Sequence, residues 1–224
     1  MRDHSSATGY RWIGDSALLF ERLSVTQRAA LIRGVHPPEV KDVVSGLTDV
    51  VVLLESPLCD AKPVVAWARR VIHEASLWPL TADPSSGRQA EPDRRHVLAV
   101  KYGGPHTDLA EVAARLRLSP QEVVARHASR EYQVLATGFA PGFAYCGDVD
   151  EALMIPRKAV PNPWVASGAV AMASRYTGVY PRLGAGGWWV LGHLEAMVDA
   201  PLWDFARRPP GLLNLGDTVA FVAV

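Results

Sequence analysis

The sequence has little cysteine, and its two cysteines are not placed for a metal site or a disulfide framework. Cys59 and Cys146 lie far apart, and neither has a CxxC partner or a nearby pair of histidines. Structural zinc sites and small secreted folds need such residues in closely spaced groups. We therefore expect no metal ion in this chain, and the cysteine usage indicates a protein of the reducing cytoplasm.

Net charge and long apolar runs are also absent. The 23 basic residues balance the 23 acidic ones, whereas nucleic acids and anionic membranes attract a local surplus of Lys and Arg. No uncharged apolar run reaches the ~18 residues that span a bilayer, and residues 1–12 lack the apolar centre of a secretory signal. The sequence thus predicts neither nucleic acid nor membrane as a partner.

Common signatures of catalysis and nucleotide binding are missing too. No glycine directly precedes a lysine, which excludes a GxxxxGK[ST] phosphate loop, and neither GxSxG nor HExxH occurs. The GAGG run at 184–187 leads into Trp188 and Trp189 rather than into a helix, which favours a hairpin turn over a phosphate site. We expect no cofactor bound by this chain alone.

The residues that are present are sufficient for two small domains. Hydrophobic residues make up 49% of the 224 positions, enough for a substantial core. The segment 81–95, TADPSSGRQAEPDRR, combines Pro, Gly, Ser and charge without periodicity, which is typical of a linker. We therefore predict an N-terminal domain over residues 1–92 and a C-terminal domain over residues 93–224.

The N-terminal part alternates strand-like and helix-like patterns. Gly14 and Asp15 form a turn pair between the apolar runs 10–13 and 17–21, which predicts a hairpin, and the run 49–55 predicts a buried strand. Helical spacing predicts one helix through Val40, Val43, Val44 and Leu47, and a second after Asp60 through Val64, Trp67, Ala68, Val71 and Ala75. This mixture predicts a small α/β sandwich.

The C-terminal part begins with a strand-like run at 96–102, followed by two helix starts. Asp108 with Glu111, and Ser119 with Glu122, have the spacing of capping residues. After a predicted strand at 132–136, Gly and Pro interrupt short extended runs at the regular spacing of a β-barrel or sandwich. The predicted fold class is α+β, with a barrel decorated by two helices after the N-terminal sandwich.

Aromatic residues, Gly and Pro are concentrated in residues 138–147, GFAPGFAYCG. Two tight turns there bring Phe139, Phe143 and Tyr145 together and exclude an ordinary helix or a long strand. The segment either plugs the barrel as a structural loop or forms a rigid aromatic groove, and the residues alone leave both interpretations open. In the second case, loss of the aromatic rings affects function more than folding.

Polar residues further along the chain provide donors for such a groove. Arg157 offers a planar pair of donors to a carboxylate or an amide ligand, with Lys158, Thr177 and Tyr180 as further polar groups. His193 follows a strand-like run and either points into a cleft or is an exposed strand residue. The predicted substrate- or partner-binding residues are Phe139, Phe143, Tyr145, Arg157, Thr177, Tyr180 and His193, and no catalytic residue is identified.

Two other polar residues and several tryptophans have simpler interpretations. His127 is predicted to be a helix-end or partly buried residue rather than a base. Cys146 is predicted to pack in the interior because no adjacent histidine lowers its pKa. The seven tryptophans of the chain either pack in the core, which is the default for each of them, or in part belong to a partner interface that the barrel does not bury alone. Candidates for a partner interface are Trp164, Trp188, Trp189 and Trp203.

Several sequence blocks occur in the order seen in one protein family. They are GDSALLFE (14–21), YGG (102–104), DLAEVAARLRLSPQEVVARH (108–127), GFAPGFAYCG (138–147), IPRKAVPNPWVASGAVAMASRYTGVYP (155–181), GGWWVLGH (186–193) and LLNLGDTVAF (212–221). With these blocks the sequence resembles the 5-oxoprolinase B subunit family, also called allophanate hydrolase subunit 1 or the C component of the carboxyltransferase domain. The family includes the sporulation-kinase inhibitor.

The resemblance implies a cyclophilin-like β-barrel after a small α+β domain. It also implies that the chain works with a homologue of the 5-oxoprolinase C subunit (allophanate hydrolase subunit 2) and a third subunit, in a complex that cleaves 5-oxoproline to glutamate and uses ATP. A small amide or carboxylate substrate is then expected. On this basis the chain is a non-autonomous hydrolase subunit that is inactive alone, whereas membership of a barrel family does not imply prolyl isomerase activity.

Some positions depart from the family pattern. Tyr176 stands where Gln is usual, His193 stands where Arg is usual, and residues 195–209 are an extra stretch. Such differences fit a different ligand or a loss of activity. Two alternatives to the enzyme subunit therefore stay open: a non-catalytic protein that inhibits a histidine kinase, and a carboxyltransferase component of a urea carboxylase or allophanate pathway.

Overall fold

The structure is a computed structural model that describes residues 9–57, 60–77, 94–195 and 201–224. The chain forms two compact units, residues 1–92 and 93–224. Cys59 and most of the predicted linker lie outside the described residues. Within the described ranges, no helix is both long and apolar enough to cross a membrane.

The N-terminal unit is a four-stranded antiparallel sheet that packs against two helices. Its elements are β1 (Arg11–Ile13), β2 (Ala17–Phe20), α1 (Val25–Arg33), β3 (Val40–Ser45), β4 (Val50–Leu54) and α2 (Lys62–Ser76). The strand order is β1-β2-β4-β3. The predicted hairpin is confirmed as β1 and β2, and the predicted buried strand is confirmed as β4.

Both helices begin with local hydrogen bonds and bury one face against the sheet. At the start of α1, Ser24 Oγ accepts from the Gln27 N–H while the Gln27 side chain accepts from the Ser24 N–H. At the start of α2, the Asp60 carboxylate accepts from the Lys62 N–H, but the N-cap residue is Ala61 rather than the predicted Asp60, and it makes no side-chain capping bond. The core of the unit includes Leu18, Phe20, Leu31, Val50, Val52, Val64, Trp67 and Ala68.

The helix predicted through Val40, Val43, Val44 and Leu47 is wrong, because residues 40–45 form strand β3. A β-bulge interrupts the pairing of β3 with β4 between Val40 and Asp42. An extra residue in a bulge shifts the alternation of side chains by one position. Val40 and Val43 therefore both face the core, three positions apart, while Val44 and Leu47 are exposed.

The C-terminal unit contains a closed seven-stranded barrel, in the order β10-β7-β6-β13-β5-β12-β9. The elements are β5 (Arg95–Tyr102), α3 (Leu109–Leu116), α4 (Pro120–Ala128), β6 (Glu131–Thr137), β7 (Ala144–Gly147), β8 (Asn162–Val165), β9 (Ala169–Ala173), β10 (Tyr176–Val179), β11 (Gly184–Gly186), β12 (Trp189–Leu194) and β13 (Thr218–Ala223). Strand β13 pairs with β5 in parallel and with β6 in antiparallel orientation. The predicted α+β class with a barrel is confirmed.

The two helices of the barrel unit start near the predicted positions, but by different means. Ser119 and Glu122 form the predicted capping box at the start of α4. Asp108 precedes α3 without a side-chain capping bond. Its carboxylate instead accepts from the backbone N–H of Val190 in β12, at 2.8 Å. Asp108 therefore joins the start of a helix to the barrel wall.

The GAGG run is not the hairpin turn that its composition favours. Gly184–Gly186 forms strand β11, which pairs antiparallel with β8 in a separate two-stranded sheet. Gly186 permits this path because a Cβ at residue 186 would overlap the hydroxyl oxygen of Tyr180. The glycine run thus lets a strand lie directly against a buried aromatic ring.

Candidate functional site

The barrel wall separates two groups of the predicted site residues. In β10, Thr177 pairs with Met172 and Cys146, whose side chains belong to the core shared with α3 and α4. The preceding residue, Tyr176, pairs with Ala173 on the opposite side of the wall. Successive side chains of a strand point to opposite faces, so Thr177 faces away from the aromatic residues and the prediction that it joins them is wrong.

Thr177 belongs instead to a buried hydrogen-bond chain around His127. Thr177 Oγ1 donates to the carbonyl of Ala171, so it accepts from His127 Nε2, at 2.8 Å. His127 Nδ1 then accepts from the Tyr102 hydroxyl, at 2.6 Å. These partners fix a neutral imidazole with its proton on Nε2.

Burial shifts the pKa values of two side chains in this interior. Burial lowers the pKa of His127 to about 3 and raises the pKa of the Cys146 thiol to about 12. The thiolate is the nucleophilic form of cysteine, and both side chains are fully enclosed. Cys146 is therefore a packing residue, as predicted, and His127 is more deeply buried than predicted and acts as a structural hydrogen-bond partner.

Aromatic side chains gather on the other side of the wall. Phe143 lies at the centre, with ring centroids 5.0–5.6 Å from those of Tyr145, Tyr180 and Trp188, in edge-to-face contacts. Such contacts contribute about 0.5–1.5 kcal/mol each beyond the burial of area. We call this group the aromatic cluster; its members are Phe139, Phe143, Tyr145, Tyr176, Tyr180 and Trp188.

Phe139 and Phe143 have different surroundings within the aromatic cluster. Phe143 is only 3% exposed, so the expectation that its removal affects function more than folding is not supported by its burial. Phe139 is 66% exposed and packs edge-to-face on Phe143, with centroids 5.3 Å apart. Its φ of 69° lies in the left-handed region, which costs a non-glycine residue roughly 1–3 kcal/mol. The exposed ring is thus fixed by its contact with Phe143, on a strained backbone.

A groove of about 520 Å³ lies beside Phe139. One wall is the loop 137–143, where Gly142 has a φ of 87° and approaches the carbonyl of Leu202 too closely for a side chain. Trp203 and Asn214 also line the groove. Within the described part of the chain, the buried indole Nε1 of Trp203 has no hydrogen-bond partner. The groove is therefore mainly apolar with few polar groups, as is usual for ligand sites.

Arg157 lies at the edge of the aromatic cluster. Its side-chain stem passes beside Gly187, and its positive charge acts on Tyr180. Burial raises the pKa of the Tyr180 hydroxyl, while the Trp188 backbone N–H and the Arg157 charge oppose that rise. Lys158 has a different partner, because its Nζ donates to Asp108 at 2.5 Å.

The structure therefore brings together only part of the predicted set. Phe139, Phe143, Tyr145 and Tyr180 are linked by ring contacts through Phe143, and Arg157 lies beside Gly187, next to the aromatic cluster. His193 pairs with Lys101 and Ala169 in the wall, where burial and then the charge of His106 lower its pKa. Asn214 and the tertiary role of Asp108 were not predicted, since Asn214 belongs to no site motif and the capping spacing of Asp108 with Glu111 gives no sign of its contacts with Val190 and Lys158.

Comparisons with known proteins place the chain in a family. The model of the carboxyltransferase domain, subdomains C and D, matches residues 8–213. The chain therefore belongs to this family. Its relatives include the B subunit of 5-oxoprolinase from Escherichia coli, 37% identical over 85% of this chain and 81% of the relative, and that from Bacillus subtilis, 41% identical over 60% and 55%. The resemblance to the 5-oxoprolinase B subunit is thus confirmed.

Solved structures agree with the fold. The protein TTHA0988 is 29% identical, with a TM-score of 0.73 over 93% of this chain, which spans 40% of that longer chain. PH0987 of Pyrococcus horikoshii is 25% identical over 96% of this chain and 97% of its own, with a TM-score of 0.54. The urea amidolyase of Kluyveromyces lactis shares the fold at 15% identity, with a TM-score of 0.63 over 98% of this chain and 15% of its own.

Proposed function

We propose that this chain is the B subunit of a 5-oxoprolinase that cleaves 5-oxoproline to glutamate at the expense of ATP. It would work with a homologue of the C subunit (allophanate hydrolase subunit 2) and a third subunit. The observation that carries this proposal is the 37% identity to the B subunit of the E. coli 5-oxoprolinase over 81% of that relative. The family model covers both units of the chain, which supports a role for the whole polypeptide.

The buried positions of Thr177 and Cys146 support a shared active site. Opening an amide requires a nucleophile that can reach the substrate and a base beside it. The hydroxyl of Thr177 and the thiol of Cys146 lie inside the barrel core, and His127 donates to Thr177 rather than accepting its proton. We therefore propose that the reacting groups come in part from another subunit, so that this chain is inactive alone.

The groove beside Phe139 is the proposed place of contact with the substrate or with the partner subunit. An exposed phenylalanine with a fixed ring provides contact area at little cost in side-chain entropy. Phe205, which is 81% exposed, packs edge-to-face on Trp203, with centroids 5.9 Å apart. Two exposed aromatic rings thus accompany one groove. ATP is proposed to bind elsewhere in the complex, since this sequence has no GxxxxGK[ST] loop.

Reconstitution tests the proposed function directly. This chain would be purified alone and together with the C subunit homologue and the third subunit from the same genome. Glutamate formation and 5-oxoproline-dependent ATP hydrolysis would then be measured on each sample. We expect no turnover by the single chain, one co-eluting complex, and turnover only by the complete assembly.

Each other result would contradict a defined part of the proposal. Turnover by the single chain, persisting after removal of contaminants, would contradict the shared active site. Separate elution of the subunits at micromolar concentration would contradict the complex. A stable complex without any turnover of 5-oxoproline would contradict the substrate assignment.

A further inference from the structure

The loop that carries Arg157 is fixed on both sides of this residue. The carbonyl of Ile155 accepts from the Ser174 N–H, at 2.6 Å, and the carbonyl of Pro156 accepts from Trp189 Nε1, at 2.8 Å. On the other side, the Lys158 N–H donates to the carbonyl of Gly187, at 2.8 Å. The backbone around residue 157 is therefore tied to the barrel wall by three hydrogen bonds.

Lys158 provides a fourth tie through its side chain. Its Nζ donates to the Asp108 carboxylate and lies 5.1 Å from the centroid of the Trp189 ring. Both members of the ion pair are mostly buried, with side-chain exposures of 16% and 17%. Partly buried pairs are screened less by water and salt than surface pairs are, so this contact has more effect on structure than a surface ion pair.

Asp108 is itself held rigidly. Its backbone N–H donates to the carbonyl of Val190, at 2.6 Å, and its second carboxylate oxygen accepts from the Val190 N–H. Two hydrogen bonds to one residue of β12 leave Asp108 little freedom to rotate. Asp108 accepts hydrogen bonds from both Val190 and Lys158, and it thus fixes the loop relative to the barrel wall.

Arg157 is the unpaired cation at this place. Within the described residues its guanidinium has no hydrogen bond and no ion pair, and the side chain is exposed. Its Cβ lies about 4.0 Å from the place that a Cβ on Gly187 would take, and Gly187 immediately precedes Trp188 of the aromatic cluster. A guanidinium with free donors on a rigidly held loop matches a carboxylate, to which it can donate two parallel hydrogen bonds.

We propose that Arg157 binds the carboxylate of the ligand and that Asp108 and Lys158 are positioning residues for it. The proposal rests on the proposed function and names the substrate group that this chain holds. Lys158 does not need to touch the ligand, because Asp108 already engages its ammonium group. The ion pair of Asp108 and Lys158 restricts the movement of the loop, and the Arg157 guanidinium is thereby held in its binding geometry.

A binding experiment with two probes tests this site. Binding of 5-oxoproline and of its uncharged analogue 5-oxoprolinamide to the full chain, and to the assembled complex, would be measured by ligand-observed NMR and calorimetry. We expect Arg157→Ala to weaken 5-oxoproline binding about 10-fold or more, equivalent to about 1.4 kcal/mol. Binding of 5-oxoprolinamide should change little, and Arg70→Ala on the exposed side of α2 serves as the charge-matched control.

A double-mutant cycle separates positioning from direct contact. Lys158→Met and Asp108→Asn should each weaken 5-oxoproline binding about 5-fold, while Lys158→Arg should restore much of it. Asp108→Asn keeps an oxygen that can accept from the Val190 N–H, so the fold is retained; melting temperatures would check this. In the Arg157→Ala background, Lys158→Met should cause no further loss of 5-oxoproline binding.

The outcomes for this site and for the proposed function are distinguishable. Wild-type binding of 5-oxoproline by Arg157→Ala, equal losses for both probes, or no binding of 5-oxoproline to chain or complex would overturn the carboxylate site. A further loss on adding Lys158→Met to Arg157→Ala would overturn the positioning role. If 5-oxoproline binding depends on Arg157 but the complex shows no turnover, the carboxylate site stands and the proposed 5-oxoprolinase function is contradicted. If the complex turns over 5-oxoproline and Arg157→Ala has no effect, the proposed function stands and the carboxylate site is contradicted.

Discussion

The hydroxyl group of Tyr180 lies directly against the backbone of Gly186, with no space between them for a methyl group. Tyr180 contacts Phe139 and Phe143 through its ring, so Gly186 supports the aromatic cluster from one side. Glycine weakens a β-strand, but it is required where another group approaches the backbone this closely. The glycine-rich β11 therefore helps to determine the shape of the candidate site.

Gly186→Ala should displace Tyr180 and destabilise the barrel unit by about 1–3 kcal/mol, the usual effect of overpacking. Gly184→Ala, in the same strand, is the matched control, since no atom lies within 4 Å of the added methyl group. We expect that control to remain within about 0.5 kcal/mol of the wild type. Urea unfolding of the three proteins gives the comparison, and equal stabilities would contradict the close packing of Tyr180.

Phe139 and Phe143 should differ in their contributions to stability and function. Phe143→Ala should lower the free energy of unfolding by about 3–5 kcal/mol, because the ring is buried among other rings. Phe139→Ala should cost less than about 1 kcal/mol but weaken binding of the C subunit homologue or turnover by the complex. Val97→Ala, at an exposed position of β5, is the control for loss of an exposed apolar side chain.

Urea unfolding and analytical gel filtration measure the two effects separately. A large loss of stability in Phe139→Ala would mean that the exposed ring is structural. Unchanged assembly and unchanged turnover in Phe139→Ala, with a native fold, would show that the groove beside it is not used for partner or substrate contact.

The buried His127 predicts a pH dependence of stability. Its pKa is about 3 in the folded protein and ~6.5 in an unfolded chain. Between these values only the unfolded chain takes up the proton, so stability is complete above pH ~6.5 and falls as the pH falls toward 3. Between pH 7 and pH 5 this single group should remove about 2 kcal/mol of stability.

The measurement compares the wild type with His127→Gln in urea at both pH values. The variant lacks the titrating group, so the stability difference between the two proteins should shrink by about 2 kcal/mol on going from pH 7 to pH 5. A difference that stays constant would contradict a neutral, enclosed His127.

The Cys146 thiol should be unreactive in the folded protein. With a pKa of about 12, only about one thiol in ten thousand is ionised at pH 8, and the side chain is fully buried. In a Cys59→Ser protein, labelling by a coloured disulfide reagent should therefore be no faster than global unfolding, and should become fast in concentrated urea. Rapid labelling of a folded sample would show that the interior opens locally.

The sequence predicts most elements of the fold because their signals are local. Ser119 with Glu122 marks the start of α4, and the turn pair Gly14-Asp15 marks the first hairpin. The error at Val40 and Val43 has a physical cause, since a bulged strand places residues three apart on one face and so imitates a helix. Only the pairing of β3 with β4 distinguishes the two cases, and pairing is not a local property.

The candidate site is predictable only in part, for a related reason. The aromatic rings of 138–147 are close in the chain, so their clustering follows from tight turns. Thr177 lies on the other face of the barrel wall from Tyr176 because side chains alternate along a strand. Predicting this requires the limits of β10, which the sequence alone does not define. The contacts of Asp108 with Val190 and Lys158 join residues 82 and 50 positions away, and no spacing rule predicts such contacts.

The position of strand β13 has a consequence for the order of folding. It lies between β5 and β6, and the hydrogen bond from Arg94 to Asp217 at its start joins residues 123 positions apart. Contacts of such long range slow folding, because the chain loses entropy before they form. During synthesis, β5 and β6 each have at least one unpaired edge until residues 218–223 emerge from the ribosome. The nascent barrel is therefore an open sheet for most of its translation, with the aggregation risk of exposed strand edges.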